Sequence, residues 1–174
     1  INRIFEGTNE INRMLAVDMV LKRAMKGQLD VLGPAKAVSK EIMSIPNMSE
    51  PEAGTFPVWH RVVENQKKAL LMVAGAAAQN LQKELEEEQE ILLSIADMMM
   101  EIYASESTLL RTEKLAEIRG EAAIPQHIAA MQVYLFDSTD RLNKAGKEAI
   151  LSFTEGDERR MMLMGLKRFT KVEP

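Results

Sequence analysis

Cysteine is absent from the 174 residues. That excludes disulfides, thiol catalysis and thiolate metal sites together. Histidine occurs only as His60 and His127. Neither has a carboxylate or a second histidine at ligand spacing, so no metal site is expected. No GxGxxG, P-loop or GxSxG pattern occurs, which removes the common phosphate-cradle and nucleophile-elbow signatures. Basic excess is lacking too: 22 Lys and Arg against 26 Asp and Glu leave a formal charge of −4. With a pI near 5.4 and no basic stripe, nucleic acid is not an expected partner. The longest unbroken apolar run is Ala69 to Ala78, ten residues, whereas a bilayer-spanning helix needs about 20. No secretory signal opens the chain. Nor does a methionine, and Ile1 reads as the cut end of something longer.

Aromatic residues make up only 5% of the chain, with nine Gly and six Pro. What remains is rich in Ala, Leu, Met and Glu, all strong helix formers. The fold expected is all-α, an antiparallel up-and-down helical bundle. The first helix spans 9–26, capped by Thr8 or Asn9 and ended by Gly27. Its apolar stripe is Ile11, Met14, Leu15, Leu21 and Met25. A short helix follows Gly33-Pro34, with Val38, Ile42 and Ile45 on one side and Pro46 as its stop. Residues 47–57 read as loop, the best place for a linker.

From Pro57 a long helix places Val58, Val62, Leu70, Val73, Ala77 and Leu81 on one face. The small residues Ala74 to Ala78 mark a close helix crossing. A break is expected near Glu84–Glu88, where clustered carboxylates suit a helix N-terminus. The next helix carries Ile91, Ile95, Met98, Ile102 and Leu109, with Leu92, Met99, Tyr103 and Leu110 beside them, and runs to about Leu115 or beyond. After Gly120 and Pro125, the series Ile128, Met131, Leu135, Ser138, Leu142, Ala145 steps alternately by three and four, the seam of an antiparallel bundle. Gly156 precedes a last helix with Met162, Leu163, Leu166 and Phe169. The 13 methionines read as adaptable core filling.

Candidate chemistry is sparse. Glu86, Glu90, Asp97 and Glu101 can be pictured as carboxylate ligands inside a bundle. The di-iron pattern, however, needs a histidine three residues after a glutamate, and none exists. One segment does not read as bundle packing: Ile4-Phe5-Glu6-Gly7-Thr8-Asn9-Glu10-Ile11-Asn12-Arg13. It offers an apolar pair, a carboxylate, a glycine that lets backbone approach a ligand, and a capped helix start with free N–H groups. A carboxylate beside apolar side chains can have its pKa raised by desolvation, as a general base near neutral pH needs. The ordinary alternative is a loop before an N-cap.

This segment resembles the signature near the end of the catalytic part of acyl-CoA dehydrogenases. That signature has a Glu-Gly-Thr core preceded by an aromatic residue and followed by an aliphatic residue and an arginine at fixed offsets. Most members end soon after the helix that follows it. The 148 residues beyond Lys26 resemble the very-long-chain branch with its extra helical C-terminal domain, and Glu87 to Leu110 is similar to a helix of that extension. The resemblance divides the chain into 1–26, the tail of the catalytic C-terminal helical domain; 27–56, a linker with a short helix; and 57–174, the extra bundle.

The resemblance also implies a reaction. Such enzymes use FAD to oxidise a fatty acyl-CoA to the trans-2-enoyl-CoA in fatty-acid β-oxidation. Carried over, Glu6 is the general base, Phe5 and Gly7 line the acyl-CoA thioester, and Thr8, Asn9 and Glu10 contact the flavin nucleotide. An electron-transfer flavoprotein takes the electrons, and the parent enzyme is a homodimer. The parts that hold the flavin ring and the acyl chain lie outside this chain, so it reads as an inactive C-terminal fragment, with residues 1–8 lacking their partners. The competing reading is a non-catalytic helical module for domain packing, dimerisation or membrane association. Bound flavin, visible as yellow colour, separates the two. Membrane contact through Leu29 to Ile45 is not favoured, because Asp30 and Glu41 interrupt the basic face that an interfacial helix needs. A bacterial cytoplasmic setting is expected, the matrix side of the mitochondrial inner membrane being the alternative.

Overall fold

A computed structural model of the chain describes residues 1, 3–44 and 54–172. Among these residues the regular elements are six α-helices and two short 3-10 turns. The helices are α1 (Asn9–Met25), α2 (Leu32–Ile42), α3 (Thr55–Leu81), α4 (Gln89–Arg119), α5 (Pro125–Phe153) and α6 (Gly156–Phe169). The expected all-α fold is thus the fold found. Cross-helix pairs give the directions. His60 meets Glu113 and Lys67 meets Glu106, so α3 and α4 are antiparallel. Glu101 meets Arg141 and Ser105 meets Ser138, so α4 and α5 are antiparallel as well. The three long helices form the up-and-down bundle, α6 packs back on α3 and α5, α2 lies on α3, and α1 lies on α4.

The break expected near Glu84–Glu88 is the 3-10 turn Gln82–Glu86, pinned by buried Leu85. The small residues of α3 serve close packing: a Cβ on Gly75 would come within 3.1 Å of the Ala35 side chain on α2. Gly165 of α6 similarly leaves room for Met72 and Ile42. Glu41 pairs with Lys68 at 2.9 Å, and Arg168 reaches the Glu41 carbonyl at 3.2 Å, so α2 is docked on its own protein. Ile45, Pro46 and most of the expected loop, residues 47–53, lie outside the described residues.

The core has two blocks. The larger gathers residues from all six helices, among them Val17, Val38, Val73, Met98, Leu142 and Leu166. The smaller holds Phe56, Trp59, Val63, Leu109, Met131 and Leu135. A buried polar layer lies at mid-bundle on α3, α4 and α5. Gln66 Nε2 donates to Thr139 Oγ1 at 2.8 Å, and Ser105 and Ser138 share a hydrogen bond of 2.8 Å.

Several stripes differ from the sequence reading. On α1 the one fully buried residue is Val17, while Ile11, Leu15 and Met25 are exposed, because α1 packs mainly on α4, along one edge. On α3 the seam passes through Gln66, a position that apolar periodicity skips. On α4, Tyr103 and Leu110 turn outward, and Ser105 takes the core position between Ile102 and Leu109. Met72, Met98, Met131 and Met162 fill the core as expected. Met19, Met25, Met43, Met100, Met161 and Met164 are exposed.

Candidate functional site

The segment before α1 turns sharply on two left-handed residues. Glu6 has φ +55° and Gly7 has φ +92°. A glutamate there is strained, since its Cβ crowds the backbone, and such strain persists only where surrounding bonds hold it. Those bonds are present. Asn12 Nδ2 donates to the Gly7 carbonyl at 3.1 Å. The Asn9 amide donates to the Arg3 carbonyl at 3.2 Å, folding the chain back on itself. Glycine is favoured at position 7 by its φ, and a Cβ there would come within 2.8 Å of Asn12 Oδ1, so the Asn12 side chain would have to shift.

Thr8 sits in extended geometry and caps α1: its hydroxyl accepts from the Ile11 amide at 3.3 Å. Of the two caps that the sequence allows, threonine is the one used. Thr8 is half-buried, whereas Asn9 and Glu10 are exposed in the first turn. Glu10 places its charge at the positive end of the helix.

Phe5, Glu6, Gly7, Thr8, Asn9 and Glu10 therefore occupy one turn and the helix start behind it. Glu6 itself is exposed. The apolar wall expected around it is not closed by this chain, since Ile4 and Phe5 are 73% and 51% exposed. The arrangement can present a carboxylate from a preset turn, with a helix N-terminus beside it to receive negative charge.

Two residues of the segment matter in ways that composition does not reveal. Asn12 locks the turn, as described. Arg13 Nε lies 3.0 Å from Asp97 Oδ1 on α4, joining the segment to the bundle. Glu101 is held by Arg141 through two bonds of 2.7 and 3.0 Å. Two of the four carboxylates pictured as metal ligands are thus engaged by arginines. No group of three or more His, Asp or Glu able to hold a metal occurs among the described residues. Among them no helix is long and apolar enough to cross a membrane. A groove of about 710 Å³ between α5 and α6, flanked by Phe136, Leu151, Lys147 and Lys167, involves none of the signature residues.

Comparisons with known proteins give the family. Residues 65–168 match the model of the family described as acyl-CoA dehydrogenase, C-terminal domain. A protein of Bacillus subtilis (strain 168), named as a probable acyl-CoA dehydrogenase, is 38% identical over all 174 residues, which cover 29% of that relative. An acyl-CoA dehydrogenase of Bacillus anthracis, solved as a complex with FAD, superposes with a TM-score of 0.94 at 40% identity, over the whole of this chain and 30% of that one. The chain spans less than a third of the length of either relative.

Proposed function

The chain belongs to the acyl-CoA dehydrogenase C-terminal domain family, and from that membership we propose that it closes the active site of a flavoenzyme that oxidises acyl-CoA to trans-2-enoyl-CoA. The observation that carries this reading is the strained Glu6-Gly7 turn at the N-terminus of α1, held by Asn12. A strained carboxylate on a preset turn is what a positioned base requires.

In this reading Glu6 takes the proton from the acyl Cα. The electron pair left behind forms the Cα–Cβ double bond as the β-hydrogen departs. The Glu6 backbone N–H and its neighbours hold the thioester carbonyl, where negative charge develops. Phe5 and Gly7 line the thioester. FAD, when bound, supplies the acceptor for the β-hydride. The residues present suit its nucleotide in kind: Thr8, Asn9 and Glu10 offer a hydroxyl, an amide and a carboxylate at the N-cap and first turn of α1, beside a glycine. The enclosure that would desolvate Glu6 comes from the rest of the enzyme, which is why the chain alone is inactive.

The finer assignments belong to the same reading. Residues 57–174 form the extra bundle of a very-long-chain type enzyme acting on long-chain substrates in fatty-acid β-oxidation. What supports this is that the three long helices α3, α4 and α5 pack on one another as an antiparallel bundle, with α6 against α3 and α5. The whole enzyme is a bacterial cytoplasmic homodimer that passes electrons to an electron-transfer flavoprotein. The test uses the full-length protein with FAD bound, mixed rapidly with a long-chain acyl-CoA. Glu6→Gln should retain FAD and bind acyl-CoA while its flavin stays oxidised. Bleaching at the native rate would remove Glu6 from the role of base.

A further inference from the structure

The signature turn and the bundle meet through very little. Along α1 only Val17 is fully buried, with Leu21 partly buried against the same core, and the main neighbour of the helix is α4. So narrow an apolar contact sets a distance between two helices but resists rotation about the α1 axis poorly. Rotation is what would swing the preceding turn. The polar contact that opposes it is Arg13 Nε to Asp97 Oδ1 at 3.0 Å. Arg13 follows Asn12, whose side chain grips the Gly7 carbonyl at 3.1 Å. A continuous path thus runs from α4 through the Arg13–Asp97 ion pair, along the chain to Asn12, and through its hydrogen bond to the residue after Glu6.

From this geometry we propose that Asp97 is a positioning residue: through Arg13 it fixes the rotation of α1 and so the placement of the Glu6 turn. The proposal rests on the reading of Glu6 as the base. It makes the bundle part of the catalytic apparatus, because a helix remote from the reacting atoms sets where the base stands. A displacement of about 1 Å at a reacting group can cost roughly 100-fold in rate.

The electrostatics fit a positional role better than a stabilising one. Burial pushes the Asp97 carboxyl above its usual range, Arg13 opposes this, and Glu101 on α4 and Glu148 on α5 add to it. The carboxylate thus loses more on leaving water than Arg13 returns. With side chains 33% and 41% exposed, the pair adds little to folding. A residue kept for stability alone would be better as a neutral one.

The experiment uses the full-length protein with FAD bound, carrying Asp97→Asn or Asp97→Glu, with Glu6→Gln as a separate control. Asp97→Asn should lower kcat about tenfold, with KM for a long-chain acyl-CoA within about twofold. It should leave the melting temperature unchanged or slightly raised. Amide exchange over residues 6–13 should quicken while that over residues 142–150 stays as in the native protein. Asp97→Glu, which keeps the charge, should restore most of kcat. Native exchange over residues 6–13 in Asp97→Asn overturns the proposal, and so does equal acceleration in α5, which would mark a merely structural residue. If Glu6→Gln still reduces its flavin, the assignment of the base fails, while the exchange pattern still decides the role of Asp97.

Discussion

Between Ile4 and Arg13 the chain is held by polar ties: an asparagine on a carbonyl, a threonine cap and an arginine on a carboxylate. Its large side chains, Ile4, Phe5 and Ile11, stand at least half exposed. In α3, α4 and α5 one apolar face of each helix is buried, and Gln66, Thr139, Ser105 and Ser138, which lie inside, pair with each other. The first region spends its bonds on one backbone shape, and the second spends its surface on cohesion. The chain spans under a third of the length of its relatives.

The largest expected effect tests whether the turn is chemical. In the full-length enzyme Glu6→Gln should slow flavin reduction by roughly 10²–10⁴-fold, the usual contribution of positioned acid–base catalysis. Being exposed, the same change should move folding stability by less than about 0.5 kcal/mol. Stopped-flow absorbance and a thermal melt of the same sample read both. A variant that lost both together would erase the contrast between the regions.

The opposite change lies in the bundle. Leu142 is fully buried in the larger core. Leu142→Ala should cost about 2–5 kcal/mol through lost burial and the cavity left behind. The urea midpoint should fall, with no early loosening of the Glu6 turn by hydrogen exchange.

A smaller and purely local effect is expected at Gly7. Alanine there must adopt φ near +92° and meet Asn12 Oδ1. The strain should be about 1–3 kcal/mol. Because it falls on the turn and not on the core, amides 8–12 should exchange faster while the unfolding midpoint of the bundle holds.

The smallest effect is in the pH profile. A carboxyl pushed up in the folded state favours folding when protonated, and that contribution is lost as pH rises through its raised value. Asp97 is such a group, by burial first and by Glu101 and Glu148 in addition, against Arg13. Relative to Asp97→Asn, the native protein should therefore be less stable at pH 7 than at about pH 4. Paired urea titrations at the two values check the sign.

Helix positions could be read from the sequence because helix formation is local. Gly120, Pro125 and Gly156 punctuate it, and steps of three and four place Ile91, Ile95 and Met98, or Leu135 and Leu142, on one side of a cylinder. The signature could be read because the turn too is local: Glu6, Gly7, Thr8 and Asn12 make their bonds within a few residues of each other. Which of two adjacent stripes on α1 goes inward was not readable, since Ile11 and Leu15 are as apolar as Val17, and only the arrival of α4 on one edge chooses. Gln66 is passed over by apolar periodicity. It became core because Thr139, two helices later, supplies an acceptor in the same layer. Arg13 was visible as a signature residue, and Asp97 only as a stray carboxylate. Their meeting at 3.0 Å is tertiary. Periodicity and turn chemistry act over a few residues and are written into the chain, whereas the partner of a buried polar group is decided when distant helices pack.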